Sequence, residues 1–183
     1  MENSKVQRYS QQYANQMVRF NPYAIRKTGL IQSQTLLNVE DYMLICAPFQ
    51  LSMHRAVLLV ILSAQEAVFF RQFRNKLGKI SFTFAKNRNR DQVNFFVRAK
   101  LDRIGPVKGR SNVCLFDLSY STCPNDLVES LGDYITRYAE LRQQYEVFKN
   151  RAVEISDETA GELRFNRFAE IAIGERKIRP ELL

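Results

Sequence analysis

The stretch KISFTFA at residues 79–85, followed by QVNFFVRAKLDRI at residues 92–104, sets the fold class. Ile80, Phe82 and Phe84 alternate with Ser81 and Thr83, and Val93, Phe95, Val97, Ala99 and Leu101 alternate in the same way. Period-two alternation sends successive side chains to opposite sheet faces, so each run is a strand with one buried face. The polar connection from Lys86 to Asp91 suits a hairpin turn. Gly105-Pro106-Val107-Lys108-Gly109-Arg110 breaks the second strand from a third, Asn112 to Ser121. Three antiparallel strands in sequence make a meander.

Working toward the N-terminus, Ser63-Ala64-Gln65-Glu66 has the capping-box pattern, so a helix begins there. Its apolar residues Ala67, Phe70, Phe73 and Leu77 share one stripe, and Gly78 stands at the expected C-cap. Three earlier runs are rich in β-formers and read as strands: Ile25 to Thr28, Tyr42 to Cys46, and Ala56 to Ile61. Before them, Val6, Tyr9, Tyr13, Met17 and Phe20 recur at steps of three and four. This predicts an amphipathic helix over residues 3–19, ended by Asn21-Pro22.

Toward the C-terminus, Pro124 opens a helical pattern that holds to about Asn150, in which Leu127, Leu131, Tyr134, Tyr138, Leu141, Tyr145 and Phe148 alternate steps of four and three. Such a helix is about 40 Å long, longer than a small sheet needs for cover. Its heptad repeat admits a coiled-coil homodimer through residues 124–150, although Tyr138 and Tyr145 are poor dimer-core residues. Val153 to Gly161 then reads as a linker, and Phe168 to Ile173 as one more strand. The expected class is α+β. About six short antiparallel strands bury one face most easily by closing into a small barrel, accompanied here by an N-terminal helix, one inserted helix and a long C-terminal helix.

Bulk properties remove several functions. The apolar run from Ala56 is interrupted at Gln65 and Glu66, far short of the roughly 20 residues a membrane helix needs. The N-terminus MENSKVQRYSQQYANQ lacks the apolar stretch of a secretory signal, so a cytoplasmic location is expected. Cys46, Cys114 and Cys123 are widely spaced and odd in number, which suits free thiols. With one histidine, His54, and no Cys-x-x-Cys pair, metal and triad chemistry have little raw material, and no enzyme is expected. A net charge of +8 attracts phosphates, nucleotides, nucleic acids or acidic proteins without choosing among them.

Three stretches resemble the N-terminal domain of PilZ proteins from spirochaete-type bacteria. They are CAPFQLSMHRAVLLVILSAQEAVFFRQFRNKLGKISFTF, FFVRAKLDRIGPVKGRSNVCLFDLSYSTCPNDLVESLGDYI and LRFNRFAEIAIGERKIRP, together well over half the chain. The resemblance implies a regulatory cyclic-di-GMP signalling module that binds and relays without catalysis, with control of motility as an output and no cofactor besides the nucleotide ligand. It further implies a PilZN-like domain over residues 1–150, with 151–183 forming a linker and the first strand of an incomplete PilZ domain.

The family's arginine motif, near Arg-x-x-x-Arg, is matched at Leu163-Arg164-Phe165-Asn166-Arg167, one residue short. Arg164 and Arg167 are therefore the expected cyclic-di-GMP ligands. Guanidinium forks suit phosphate oxygens and the acceptor edge of guanine. The family's second motif, Asp/Asn-x-Ser-x-x-Gly, belongs downstream of the arginines. Asp117-Leu118-Ser119-Tyr120-Ser121-Thr122 lies upstream and reads as a strand with Cys114, Phe116 and Leu118 on one face.

An alternative is an RNA-binding domain. Arg71, Arg74, Lys76, Lys79, Lys86, Arg88 and Arg90 could form a phosphate-binding face, with Phe95 and Phe96 stacking bases. His54 is assigned no role. The downstream protein target is not readable from the sequence.

Overall fold

The alternating runs do pair as a meander in the computed structural model, which describes residues 2–86 and 91–149. Four helices are present among them: α1 (Glu2–Gln12), α2 (Pro22–Thr28), α3 (Ala64–Phe70) and α4 (Asn125–Lys149). The strands are β1 (Val18–Arg19), β2 (Thr35–Val39), β3 (Tyr42–Leu51), β4 (Arg55–Ile61), β5 (Leu77–Lys86), β6 (Asp91–Val107) and β7 (Arg110–Ser119). All pairings are antiparallel, in the order β1-β3-β2-β5-β6-β7-β4, and β4 also pairs with β3. The α+β fold is therefore built on a closed ring of six strands, with β1 added to β3. The chain divides into two compact units, Met1–Tyr134 and Ile135–Leu183, and the boundary falls inside α4.

Alternation explains the core. Leu37, Leu58, Ile80, Phe82, Leu101, Phe116 and Leu118 point into the ring and are almost wholly buried. Each such side chain stabilises the fold by about 1.5–3 kcal/mol relative to exposure. β6 is long enough to pair with β5 through Lys100 and with β7 from Lys100 onward. Bulges at Leu101/Arg103 and Pro106/Val107 let it bend from one partner to the next. The expected break at Gly105–Arg110 is narrower than its composition suggests, because Gly105, Pro106 and Val107 remain in β6.

The capping box forms as read. The Glu66 N–H donates to Ser63 Oγ at 3.3 Å, and the Ser63 N–H donates to Glu66 Oε2 at 2.7 Å. The helix it starts is shorter than expected. After Phe70 the chain makes a 3-10 turn through Phe73, and Asn75 takes a left-handed φ of 68°. Gly78 is not a C-cap. It lies in β5 opposite Val39, and Leu77 is an exposed strand residue.

Two N-terminal expectations are overturned. Ile25 to Thr28 is the end of α2, not a strand. Asn21-Pro22 does not stop a helix but starts one, since Asn21 Oδ1 accepts from the Ala24 N–H at 2.8 Å and Pro22 occupies the first turn. Gly29 ends α2 at φ 73°, and an added Cβ there would meet the Ala85 carbonyl oxygen at 2.5 Å. The first helix ends at Gln12 rather than 19, because Val18 and Arg19 pair with Leu51 and Gln50. β1 and β2 were not among the strands expected. The linker and strand expected over 153–173 lie outside the described residues, as do 87–90 between β5 and β6.

Candidate functional site

The register of β4 on β7 places Arg55 opposite Ser119 and Val57 opposite Asp117. Arg55 is thus one diagonal step from Asp117, and its planar fork reaches the carboxylate. Nε donates to Oδ1 at 2.6 Å, and Nη2 donates to Oδ2. Asp117 is buried while Arg55 is half exposed. The hydrogen bond and charge of Asp117 push the Arg55 pKa up.

Beside this pair, Lys100 Nζ lies 3.2 Å from Asp102 Oδ1. Burial pushes the Asp102 carboxyl up, but hydrogen bonds from Ser119 and Lys100 and the charges of Lys100 and Arg55 together hold it below the usual carboxylate value. Two carboxylates and two cations form a self-satisfied cluster on the outer face of β4, β6 and β7. Chemically it orders strands. Its fork is already occupied by Asp117, so Arg55 has little left for a phosphate.

The Asp117-Leu118-Ser119 triplet is accordingly strand structure. Cys114, Phe116 and Leu118 share the buried face, Asp117 is held by Arg55, and Ser119 serves Asp102. Composition and spacing offer no signal for the Arg55–Asp117 pair, which joins residues 62 apart in sequence.

Within the basic run, Arg74, Lys76 and Lys79 each have a separate partner. Arg74 Nε donates to the Asp102 carbonyl at 3.1 Å, Lys76 Nζ lies 3.5 Å from Glu40, and Lys79 Nζ sits 4.1 Å from the Phe96 ring centroid. Of the two adjacent phenylalanines, Phe95 faces the core against Phe84 at 5.3 Å, and only Phe96 is exposed. Arg88 and Arg90 lie outside the described residues.

His54 acts through its backbone. Its N–H donates to Ser52 Oγ at 3.2 Å, and its carbonyl accepts from the Tyr120 N–H at 2.9 Å. The three cysteines are free, and burial pushes Cys46 and Cys123 up to about 12, so both are thiols at neutral pH. Among the described residues no three His, Cys, Asp or Glu side chains converge as a metal site, and no helix is long and apolar enough to cross a membrane. Arg164 and Arg167, the expected ligand residues, lie outside the described residues.

Residues 4–137 match the PilZN3 domain. The chain belongs to the PilZN3 domain family. The PilZN3 fold seen here is similar to that of the Borreliella burgdorferi PlzA protein in complex with cyclic-di-GMP, at a TM-score of 0.55 and 14% identity over 86% of this chain. The chain spans 61% of that protein's length. The Bacillus subtilis inhibitor of motility, MotI/DgrA, aligns at a TM-score of 0.39 and 14% identity, over 63% of this chain and 49% of that one. No curated protein matches the chain in sequence.

Proposed function

We propose that this PilZN3 chain is the regulatory, non-catalytic N-terminal module of a cyclic-di-GMP receptor. The observation that carries the reading is the family match over residues 4–137, supported by a fold shared with a protein bound to that nucleotide. In this reading residues 1–150 are the relay module, and 151–183 lead into a PilZ domain. Arg164 and Arg167 then contact the nucleotide through phosphate oxygens and the guanine edge. The protein works in the cytoplasm on a protein target, and the helix at 124–150 carries the signal, with homodimerisation through it part of the same proposal. Control of motility as the output rests on the family resemblance alone.

Calorimetric titration of the intact protein with cyclic-di-GMP tests the receptor role. Saturable binding that Arg164→Ala and Arg167→Ala each abolish is the expected outcome, and no heat of binding to the intact protein would end the proposal. RNA binding has one supporting observation, the outward placement of Phe96 beside Lys79 and Arg98. That reading requires a salt-dependent gel shift on single-stranded RNA.

A further inference from the structure

β6 is longer than β7, and the difference leaves part of its edge open. β6 runs from Asp91 to Val107, but β7 lies beside it only from Lys100, opposite Ser119, onward. β7 ends at Ser119, and the next residue, Tyr120, donates its N–H to the His54 carbonyl at 2.9 Å, on the β4 side. β5 covers the other edge of β6 from Asp91 to Lys100.

Leu101 fixes the direction of each backbone group before it. Its N–H donates to the Lys76 carbonyl at 2.9 Å and its carbonyl accepts from the Asn75 N–H at 2.7 Å, so both groups face the β5 side. Backbone groups of a strand alternate edges residue by residue. Those of Phe95, Val97 and Ala99 therefore turn toward β5, and those of Asn94, Phe96 and Arg98 turn to the open edge. Among the described residues no backbone group bonds to them there, and all three residues are exposed. A row of N–H and C=O groups repeating every 7 Å or so is a template for another extended chain and for no helix, whose own backbone groups are already paired.

Charge selects which chain. Lys79 and Arg98 lie directly opposite each other on the outer face. Theirs is a non-hydrogen-bonded pair, the position where side chains of an antiparallel ladder come closest, and like charges there repel. Lys79 Nζ sits 4.1 Å from the Phe96 ring centroid, and among the described residues neither cation is paired with a carboxylate. A strand added at the open edge would set its own side chain on the far side of Arg98, in the same outward row. A carboxylate at that position relieves the repulsion.

We propose that the edge of β6 at Asn94, Phe96 and Arg98 takes an extended, acidic segment of a partner protein as an added antiparallel strand, with a carboxylate opposite Arg98. The main chain supplies the hold, and the carboxylate chooses the partner and its register. A second copy of this chain brings the same net charge of +8 to the edge and is disfavoured. The docking is independent of the nucleotide reading and holds whether or not cyclic-di-GMP is the ligand.

The test uses the full chain and three fluorescein-labelled peptides of about ten residues. The first alternates valine and glutamate, the second has lysine for each glutamate, and the third is the first with its glutamate amides N-methylated, which removes the donors that would face β6. Fluorescence anisotropy at roughly 50 mM salt should show saturable binding of the first peptide alone. Phe96→Pro removes a donor on the open edge and none toward β5, and should weaken binding about tenfold. Arg98→Glu should also weaken it about tenfold and admit the lysine peptide. An unchanged thermal melt shows each variant folded, and the N-methylated peptide reads the main-chain bonds on the native protein whether or not Phe96→Pro folds. The proposal is overturned by equal binding of the N-methylated peptide, by binding of none of the three, or by a preference for glutamate that Arg98→Glu leaves unchanged. Sedimentation as a dimer that Phe96→Pro dissociates would assign the edge to a second copy. Retention of single-stranded RNA that Arg98→Glu abolishes would assign Lys79 and Arg98 to nucleic acid. Either result also overturns the proposal.

Discussion

At one end of the strand ring, α3 and its 3-10 turn drive Phe70 and Phe73 inward, and Tyr42 and Phe69 close over them with ring centroids 5.2–5.7 Å apart. Phe70 also meets Phe116 in the ring interior at 6.2 Å. At the other end, around the β3–β4 turn, Tyr9 of α1 packs with Met53 and Val128. That contact is polar at its rim. The Tyr9 hydroxyl donates to Asp133 Oδ1 at 2.7 Å, and Lys5 Nζ donates to Oδ2 at 3.0 Å.

The first end is an aromatic plug whose Phe69, Phe70 and Phe73 come from one local segment, with Tyr42 of β3 closing over them. The second joins residues more than 120 apart, and depends on a missing side chain. Gly132 lies in the middle of α4 with the Tyr9 ring against it, where an added Cβ would sit 2.1 Å from a ring carbon. A glycine inside a helix costs about 1 kcal/mol against alanine. Here it opens the groove that Tyr9 fills. Local patterning thus supplies three of the four rings that form one closure, while the other requires two distant segments to be shaped for each other.

The sharpest way to break this comparison is at the plug. Phe70→Ala should lower stability by about 3–5 kcal/mol in chemical denaturation, because a large buried ring leaves a cavity among other rings that cannot collapse into it. A loss under about 1 kcal/mol would mean that α3 is a surface ornament and not a closure.

Gly132→Ala comes next. Helix propensity alone predicts a gain, whereas the Tyr9 contact predicts a loss of about 2–3 kcal/mol from overpacking. In a Tyr9→Ala background the same substitution should become neutral or slightly stabilising, and the double-mutant cycle reads the coupling directly. A stabilising Gly132→Ala in the native background would remove Tyr9 from the α4 groove.

The smallest effect sharpens the local end. Ser63→Ala should cost about 1 kcal/mol at neutral pH through loss of the α3 N-cap. Hydrogen bonds from Ser63 hold the Glu66 carboxyl below its usual 4.5. A depressed folded-state pKa contributes stability that is present above the unfolded value and lost as pH falls through the folded one. The difference between wild type and Ser63→Ala should therefore narrow in acid below pH 4.5 without vanishing, since Ser63 Oγ still accepts from the Glu66 N–H. A constant difference across pH would mean that the Ser63 hydroxyl does not bear on the Glu66 carboxylate, whose bond from the Ser63 backbone N–H is present in both proteins.

Signals carried within a few residues of one another were readable. The alternation in 79–85 and 92–104, the Ser63–Glu66 box and the heptad spacing after Pro124 each place an element, because period and capping are local properties of the backbone. The family resemblance was readable from the three quoted stretches as well, and the match over residues 4–137 agrees with it. The misreadings share one cause. Asn21-Pro22 can end a helix or begin one, and Ile25 to Thr28 has strand composition but lies inside α2 between two caps. Val18 and Arg19 leave the helical period because β3 offers them a ladder. In each case competing local preferences differ by less than tertiary pairing supplies.

The sequence alone determined an antiparallel meander, a boxed helix and a long helix after Pro124, since side-chain period and capping are set by nearest neighbours along the chain. Only the tertiary structure decided that β4 turns back on β3 to close six strands into a ring, that Arg55 engages Asp117, and that Gly132 receives Tyr9. It also decided that Ile45 and Ile61 lie outside the core while Val60 and Cys46 lie within. A run such as AVLLVI at residues 56–61 is apolar at every position, so its pattern cannot say which face is buried. Register across strands distant in sequence chooses the face, and that choice leaves the aliphatic rows of β3, β4 and β7 facing outward.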